Sequence, residues 1–512
     1  MKIQRTKNAK NNIIFGMMLK IYQLAIPFVM RTVIIHYLGV QYLGLDSLFS
    51  SILRVLNLAE LGVGSAMVFS MYKPIAEDDS TTICALMRLY KLYYRIIGII
   101  VAVIGLIMLP FIPKLISGDV PDNVNVYYLY LLHLGTAVIS YWLFAYKTSL
   151  LTAHQRTDII SKVYIATNSV QYLIQFIVLF AWGNYYYYVI AYLFTQVSTN
   201  VVAAIIVNKM FPNYHAQGKL PKDEVQKINK RVKDLFTAKL GGIIVTSVDS
   251  VVISAFLGLS TLAVYNNYYY ILTAIIGFVT IIFNSCTAGI GNSIVVESRE
   301  KNYGDLRLFT FIISWIAGFC GCCLMCLFQP FMKIWVGEDL MFNTSAVVFF
   351  VMYYYIYEIN QLLNLYKDAA GMWHEDRFRP LVTAIVNVVL NLLLVKFWGV
   401  YGVLLSTVIS MLLVGMPWII HNLFTVLFKT GLKMYVIELL KYALVSLVVI
   451  ATVYFTCTFV NVNGIIGLVI KLIICIVMAN GMFFVFYRRK NEFSKMKQLL
   501  SKMLGSRNVK KD

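Results

Sequence analysis

From Asn12 to Tyr487 the sequence is a succession of apolar runs, each about 20 residues or longer, parted by short polar breaks. A helix of that length spans the roughly 30 Å hydrocarbon core of a bilayer with its backbone polar groups satisfied internally. Composition agrees: 60% of the 512 residues are hydrophobic and 13% charged, too few charges to clothe a water-soluble surface. The chain is therefore expected to be an all-α polytopic membrane protein. Reading the runs by length gives about fourteen transmembrane helices. The fifth and sixth abut around Gly183 and the thirteenth and fourteenth around Asn463. The basic start ahead of a first run too long for a signal-peptide core predicts that this first helix is retained.

Charge supplies an orientation. Lys and Arg concentrate at the N-terminus and in every second inter-helical segment, while the alternate segments hold only Lys114, Lys333 and Lys396. That pattern is expected of an even number of spans with both termini in the cytoplasm. It also accounts for the net charge of +20 without nucleic acid as a partner. The longest polar stretch between spans, 209–236, reads as a basic cytoplasmic loop too short to fold as a domain. GxxxxGK[ST], HExxH and GxSxG are absent from the sequence, so no enzymatic activity and no cofactor is expected. Uphill transport would draw on an H+ or Na+ gradient, the membrane potential or a partner protein. The tail 488–512 is basic, and Phe493, Met496, Leu500, Met503 and Leu504 fall near one face of a helix that could lie on an anionic leaflet.

The sequence repeats itself at an offset of about 216 to 220 residues. Tyr37-Leu38-Gly39-Val40 resembles Phe256-Leu257-Gly258-Leu259. His154-Gln155-Arg156-Thr157-Asp158 corresponds to His374-Glu375-Asp376-Arg377, and Trp182-Gly183 to Trp398-Gly399. An even number of spans separates the copies, so both have the same orientation. The expected architecture is two pseudo-symmetric six-helix bundles around a central cavity plus two C-terminal helices. The divisions are an N-terminal bundle (1–208), the loop 209–236, a C-terminal bundle (237–424), two added spans (425–487) and the tail 488–512.

The stretch from His36 to Asp79, with Leu58-Ala59-Glu60-Leu61-Gly62-Val63-Gly64 at its centre, resembles the start of bacterial oligosaccharide flippases. These belong to the multidrug/oligosaccharidyl-lipid/polysaccharide exporter superfamily. The basic opening, the span number and the halved layout are similar too. The resemblance implies movement of an undecaprenyl-pyrophosphate-linked repeat unit from the inner to the outer leaflet, for capsule, exopolysaccharide or O-antigen. Polymerase and glycosyltransferase partners would accompany it. Two relatives, a lipid II flippase and a cation-coupled multidrug exporter, remain alternatives. A membrane polymerase or ligase is the enzymatic rival, disfavoured by short outer segments poor in charge.

In-span charges cost about 2.5–3.5 kcal/mol on insertion scales and so mark candidate sites. Lys20 and Arg31 share a helix face about 16 Å apart and, with Arg54, suit an extended anion such as a lipid diphosphate; snorkelling is the rival for the first two. Glu60 lies six residues beyond Arg54, on a different face of a continuous helix. Asp249, Glu60 and Glu358 are candidates for ion coupling, and Asp249 could instead pair with Arg31 or Arg54. Tyr354, Tyr357, Gln361 and Asn364 form a polar aromatic stripe fit for sugar, or for hydrogen bonds between helices. Asn168, Gln171, Gln175, Asn387 and Asn391 read as interhelical glue. Cys320, Cys322, Cys323 and Cys326 read as small residues for close packing; a metal site is the rival, disfavoured because thiolates are costly in lipid and no His or carboxylate lies beside them.

Overall fold

The computed structural model describes residues 5–118 and 120–505. The side chains of 5–7, 9, 237–239, 246, 284, 285, 288, 499, 500 and 502–505 lie outside that description. Among the described residues the chain is helical, without strands. It forms two compact units, Met1–Ala263 and Val264–Asp512. The first holds α1 (Arg5–Tyr37), α2 (Val40–Leu56), α3 (Val63–Ala76), α4 (Ser80–Met108), α5 (Val126–Trp142), α6 (Thr148–Ala153), α7 (Thr157–Trp182), α8 (Tyr185–Met210) and α9 (Lys222–Leu257). Helix α10 (Leu259–Val296) runs into the second unit, which continues through α11 (Arg299–Trp335), α12 (Thr344–Ala369), α13 (Arg379–Ile409) and α14 (Met416–Asn422). It ends with α15 (Lys433–Thr458), α16 (Gly464–Ile474), α17 (Asn480–Tyr487) and α18 (Asn491–Gly505).

Among the described residues twelve helices are long and apolar enough to span a membrane, and the bent pair α5–α6 makes a thirteenth. The fourteenth expected span is hidden in a single element of 50 residues, Arg379–Phe428, which as one rod would be about 75 Å long. It breaks at Gly399, whose φ of 55° is non-helical. A Cβ on Gly402 would collide with the Leu394 carbonyl, so the chain turns back on itself there. Asn387 donates to Thr407 at 3.0 Å, and Ser406 bonds Asn391. The two asparagines thus act as the expected glue. Replacing Gly402 by Val should cost at least about 1–3 kcal/mol, because backbone cannot yield as a flexible side chain does. Thermal unfolding of purified protein should show a lower Tm, whereas Gly135→Ala, with open space at its Cβ, should leave it unchanged.

The repeat has a backbone counterpart. Gly183 and Gly399, each after a Trp, have φ of 57° and 55°; Gly39 and Gly258 have φ of 109° and 88°. Each begins a new helix with almost no loop, a turn that L residues enter only with strain. Residues 222–236, expected as loop, are the first turns of α9. Pro221 at its cap and Asp223 and Glu224 in its first turn favour a helix start. The upper part of α9 packs within the first unit: Gly258 lies against the Ser117 carbonyl, and Ser117 N–H donates to Ser254 at 2.9 Å. The helix expected to open the C-terminal bundle therefore sits with the N-terminal one. At the turn into α4, Asp79 accepts from Thr81 and from Thr82 N–H, and these bonds hold its carboxyl down at about 2.

In the second unit, close packing runs along α11. A Cβ on Gly318 would meet Phe483 and Ser446. The tail helix α18 docks on the unit rather than lying free. Its Glu492 pairs with Arg307 at 2.9 Å, as Glu438 does at 2.5 Å. Phe493 is buried and stacks on Trp315, with ring centroids 6.0 Å apart. Lys495 and Lys497 are exposed. The side chains of Leu500, Met503 and Leu504, on which the membrane-surface reading also rests, lie outside the described residues.

Candidate functional site

The second span is broken where the Leu58–Gly64 segment falls. Helix α2 stops at Leu56, a 3₁₀ turn covers Asn57–Glu60, and Gly62 takes the left-handed conformation before α3 starts. Gly62 serves a second purpose there: a Cβ would press into Leu235 and the Val232 carbonyl of α9. The break turns Asn57 and Glu60 out of helical register. The separate faces expected for Arg54 and Glu60 assumed a continuous helix. With the helix ended between them, both face one cavity.

That cavity, of about 740 Å³, lies inside the first unit and is walled mainly by α1, α2, α5, α7 and α8, with the start of α3 and Ile243 of α9. Arg31 and Arg54 line it, together with Asp46, Asn57, Glu60 and His133. Arg54 is exposed to it and has no hydrogen bond or ion pair among the described residues. Arg31 is half-buried and bonded to its surroundings. Glu60 is held by a hydroxyl relay: Tyr90 donates to Tyr94 at 2.7 Å, and Tyr94 donates to Glu60 at 2.6 Å. Asp46 makes no hydrogen bond or ion pair among the described residues. His133 is buried, with Nε2 lacking a partner among the described residues and its ring 5.2 Å from that of Phe49. The opposite wall is amide and phenol. Gln171 donates to Gln175 at 3.3 Å, Gln175 donates to the Tyr188 carbonyl at 3.1 Å, and Tyr172 and Tyr192 complete it. Such a wall offers cations for an anion, carboxylates for a cation, and aromatic and amide surface for sugar.

Other expected residues lie elsewhere. Lys20 is exposed on α1 and is not among the lining residues. Asp249 is buried on α9, also outside the lining. The stripe on α12 belongs to the second unit. Tyr354 and Glu358 are fully buried there, and the Tyr354 hydroxyl and both Glu358 oxygens lack hydrogen-bond partners among the described residues. Gln361 donates to Tyr357 at 2.8 Å, and Asn364 accepts from Arg379 at 2.7 Å. Asp46, Asn57 and His133 were missed. For the first two a signal existed: Asp46, Ser50, Arg54 and Asn57 follow i, i+4, i+8, i+11, a polar stripe on an otherwise apolar span. His133 stands alone in an apolar run, and nothing in the spacing marks it.

A family model described as polysaccharide biosynthesis protein matches residues 9–287, which include the whole lining of the cavity. The chain belongs to the polysaccharide biosynthesis protein family. Solved structures share its fold. The lipid II flippase MurJ in an inward closed conformation superposes with a TM-score of 0.65 at 18% identity, over 93% of this chain and 99% of that one. A multidrug resistance MATE transporter of the MOP superfamily, inward-facing, gives 0.62 at 14% identity over 83% and 96%. A MOP superfamily transporter from Pyrococcus furiosus, described as having a binding pocket of reverse polarity, gives 0.57 at 13% identity over 83% and 97%. No curated protein matches the sequence. Family and fold together make this member a multi-pass helical membrane protein of the polysaccharide biosynthesis family, built on the fold that those structures share. Among its structural relatives the fold occurs in both inward-facing and outward-facing conformations.

Proposed function

We propose that the protein is a flippase for undecaprenyl-pyrophosphate-linked oligosaccharide repeat units in the bacterial cytoplasmic membrane, with both termini cytoplasmic. The observation that supports this reading most directly is Arg54, a guanidinium with no partner among the described residues on the wall of a cavity of about 740 Å³. Its planar fork of donors matches a phosphate. Arg31 supplies a second cation from α1, and the tyrosines and glutamines of α7 and α8 face the same space. The volume is that of a small-molecule site, suited to a diphosphate and its first sugars, with the polyprenyl tail left in lipid. Exposing the cavity first to one leaflet and then to the other would move the headgroup across. Coupling to H+ or Na+ falls to carboxylates: Glu60 within the cavity, Asp249 buried on α9, and Glu358 on α12, whose two oxygens have no bonding partner among the described residues.

Deleting the gene tests the reading. The expected result is loss of surface polysaccharide, with lipid-linked repeat units accumulating where an external glycosidase or lectin cannot reach them in intact spheroplasts. Undiminished surface polymer, with units outside as before, would overturn it. Lipid II carries the same diphosphate, and the fold matches that of a lipid II flippase over nearly the whole chain. Survival of a strain depleted of its own lipid II flippase, sustained by this gene alone, would select that cargo instead.

A further inference from the structure

The two added C-terminal spans bring cysteines to the cysteine run of α11. Cys323 and Cys326 are one helical turn apart on α11, Cys457 lies at the end of α15, and Cys475 follows α16 at the start of the π-helical turn Cys475–Ala479. Cys326, Cys457 and Cys475 are all buried, and their Sγ atoms lie within 4.8 Å of one another. The Cys475 thiol is also within hydrogen-bonding reach of Cys323. Helix α11 and the two C-terminal spans, more than 100 residues farther along the chain, thus converge three sulfurs on one point, with a fourth, that of Cys323, beside Cys475. Sulfurs around a tetrahedral ion at 2.3 Å would sit about 3.8 Å apart, so the group needs only a small contraction to ligate.

Close packing by small residues explains Gly318 and Gly321 of α11, but it does not explain why the meeting point itself is sulfur on all three helices. The surroundings are apolar, with Val453 and Phe483 fully buried in the same cluster. The donor set is soft, which selects a d10 ion such as Zn2+ or Cu+ over Mg2+ or Ca2+. Each ligating thiol would release its proton to solvent, and the remaining negative charge needs a counter-ion nearby. Lys471, an in-span cation with no part in the transport reading, meets that need. It lines a cavity of about 480 Å³ together with Cys326 and Cys457. Gln329, Lys333 and Asn463 also line this cavity, which gives an ion a polar way in.

We propose that Cys326, Cys457 and Cys475, with Cys323 as a fourth donor, form a thiolate site for a soft d10 metal ion that fastens the two C-terminal spans to α11. The site is independent of the flipping cavity, which lies in the other unit. Full-length protein purified in detergent without chelator should carry about one Zn2+ or Cu+ per chain by elemental analysis, and the element found distinguishes the two ions. Added Cd2+ should produce thiolate-to-metal charge-transfer absorption saturating at one equivalent. Cys326→Ser combined with Cys475→Ser should remove both signals, while Cys84→Ser and Cys286→Ser keep them. Should the double variant not fold, wild-type protein decides: maleimide should label these cysteines at least tenfold faster after chelation than before. Equal labelling with and without chelator, a Cys326–Cys457 disulfide in the isolated protein, or unchanged metal content in a folded double variant would overturn the proposal.

Discussion

Arg54→Ala should lower surface polysaccharide by at least tenfold while leaving the amount of protein in the membrane unchanged. A charge-assisted hydrogen bond contributes about 1.5–3 kcal/mol, or roughly tenfold to 150-fold in affinity, and a fork on phosphate makes two. Arg54 is well placed for so separable an effect. It has no partner among the described residues and faces the cavity, so truncating it strands no buried group. Arg54→Lys should retain part of the activity, since an ammonium keeps the charge and loses the paired geometry. Lys20→Ala is the contrasting variant: its exposed position outside the lining predicts wild-type polymer. Polymer measured by immunoblot, normalised to membrane protein, reads all three. Normal levels in an Arg31→Ala, Arg54→Ala double variant would remove the cationic cavity from the mechanism.

The sequence carried much of this fold because spanning helices are local objects. Apolar length places them, and glycine after Trp or Leu marks where the chain reverses. Even the hidden span was legible, since Trp398-Gly399 copies Trp182-Gly183. The site was legible only in part. Arg31 and Arg54 stand out because charge in an apolar run is rare. Glu60 was misplaced because helical periodicity was carried through Asn57–Gly62, where the helix stops. Whether Leu61-Gly62 breaks a helix depends on α9 pressing against it, a contact between residues more than 150 positions apart. The convergence of Cys457 and Cys475 on Cys326 is likewise set by packing of distant helices, which local spacing does not encode.

Asp376→Ala should destabilise the protein by about 3–5 kcal/mol, a large share of the 5–15 kcal/mol that holds a typical domain together. Arg379 grips this carboxylate with two bonds, Nε to Oδ1 and Nη2 to Oδ2, each 2.7 Å. Lys367 Nζ lies 3.8 Å away and Asn422 donates at 3.3 Å. Asp376, Arg379 and Lys367 are all buried, so this carboxylate neutralises the enclosed guanidinium, lies near the Lys367 ammonium and joins α12, α13 and α14. Its loss strands the Arg379 guanidinium, while Lys367 keeps Asp368 at 2.7 Å, and lower Tm and yield should follow. Replacing Asp376 and Arg379 together by leucine should restore more than half of the deficit, because the penalty comes from an unpaired charge rather than from a missing attraction. The corresponding segment of the first half is built alike: Asp158, fully buried, pairs with Arg156 at 2.9 Å and Lys162 at 3.3 Å. This network also bears on Asn364. Its amide oxygen is taken by Arg379 and its amide nitrogen by the Asn360 carbonyl, which leaves little of it for a sugar. Asn364→Ala should therefore lower Tm, as a weaker form of Asp376→Ala, with polymer per folded molecule unchanged.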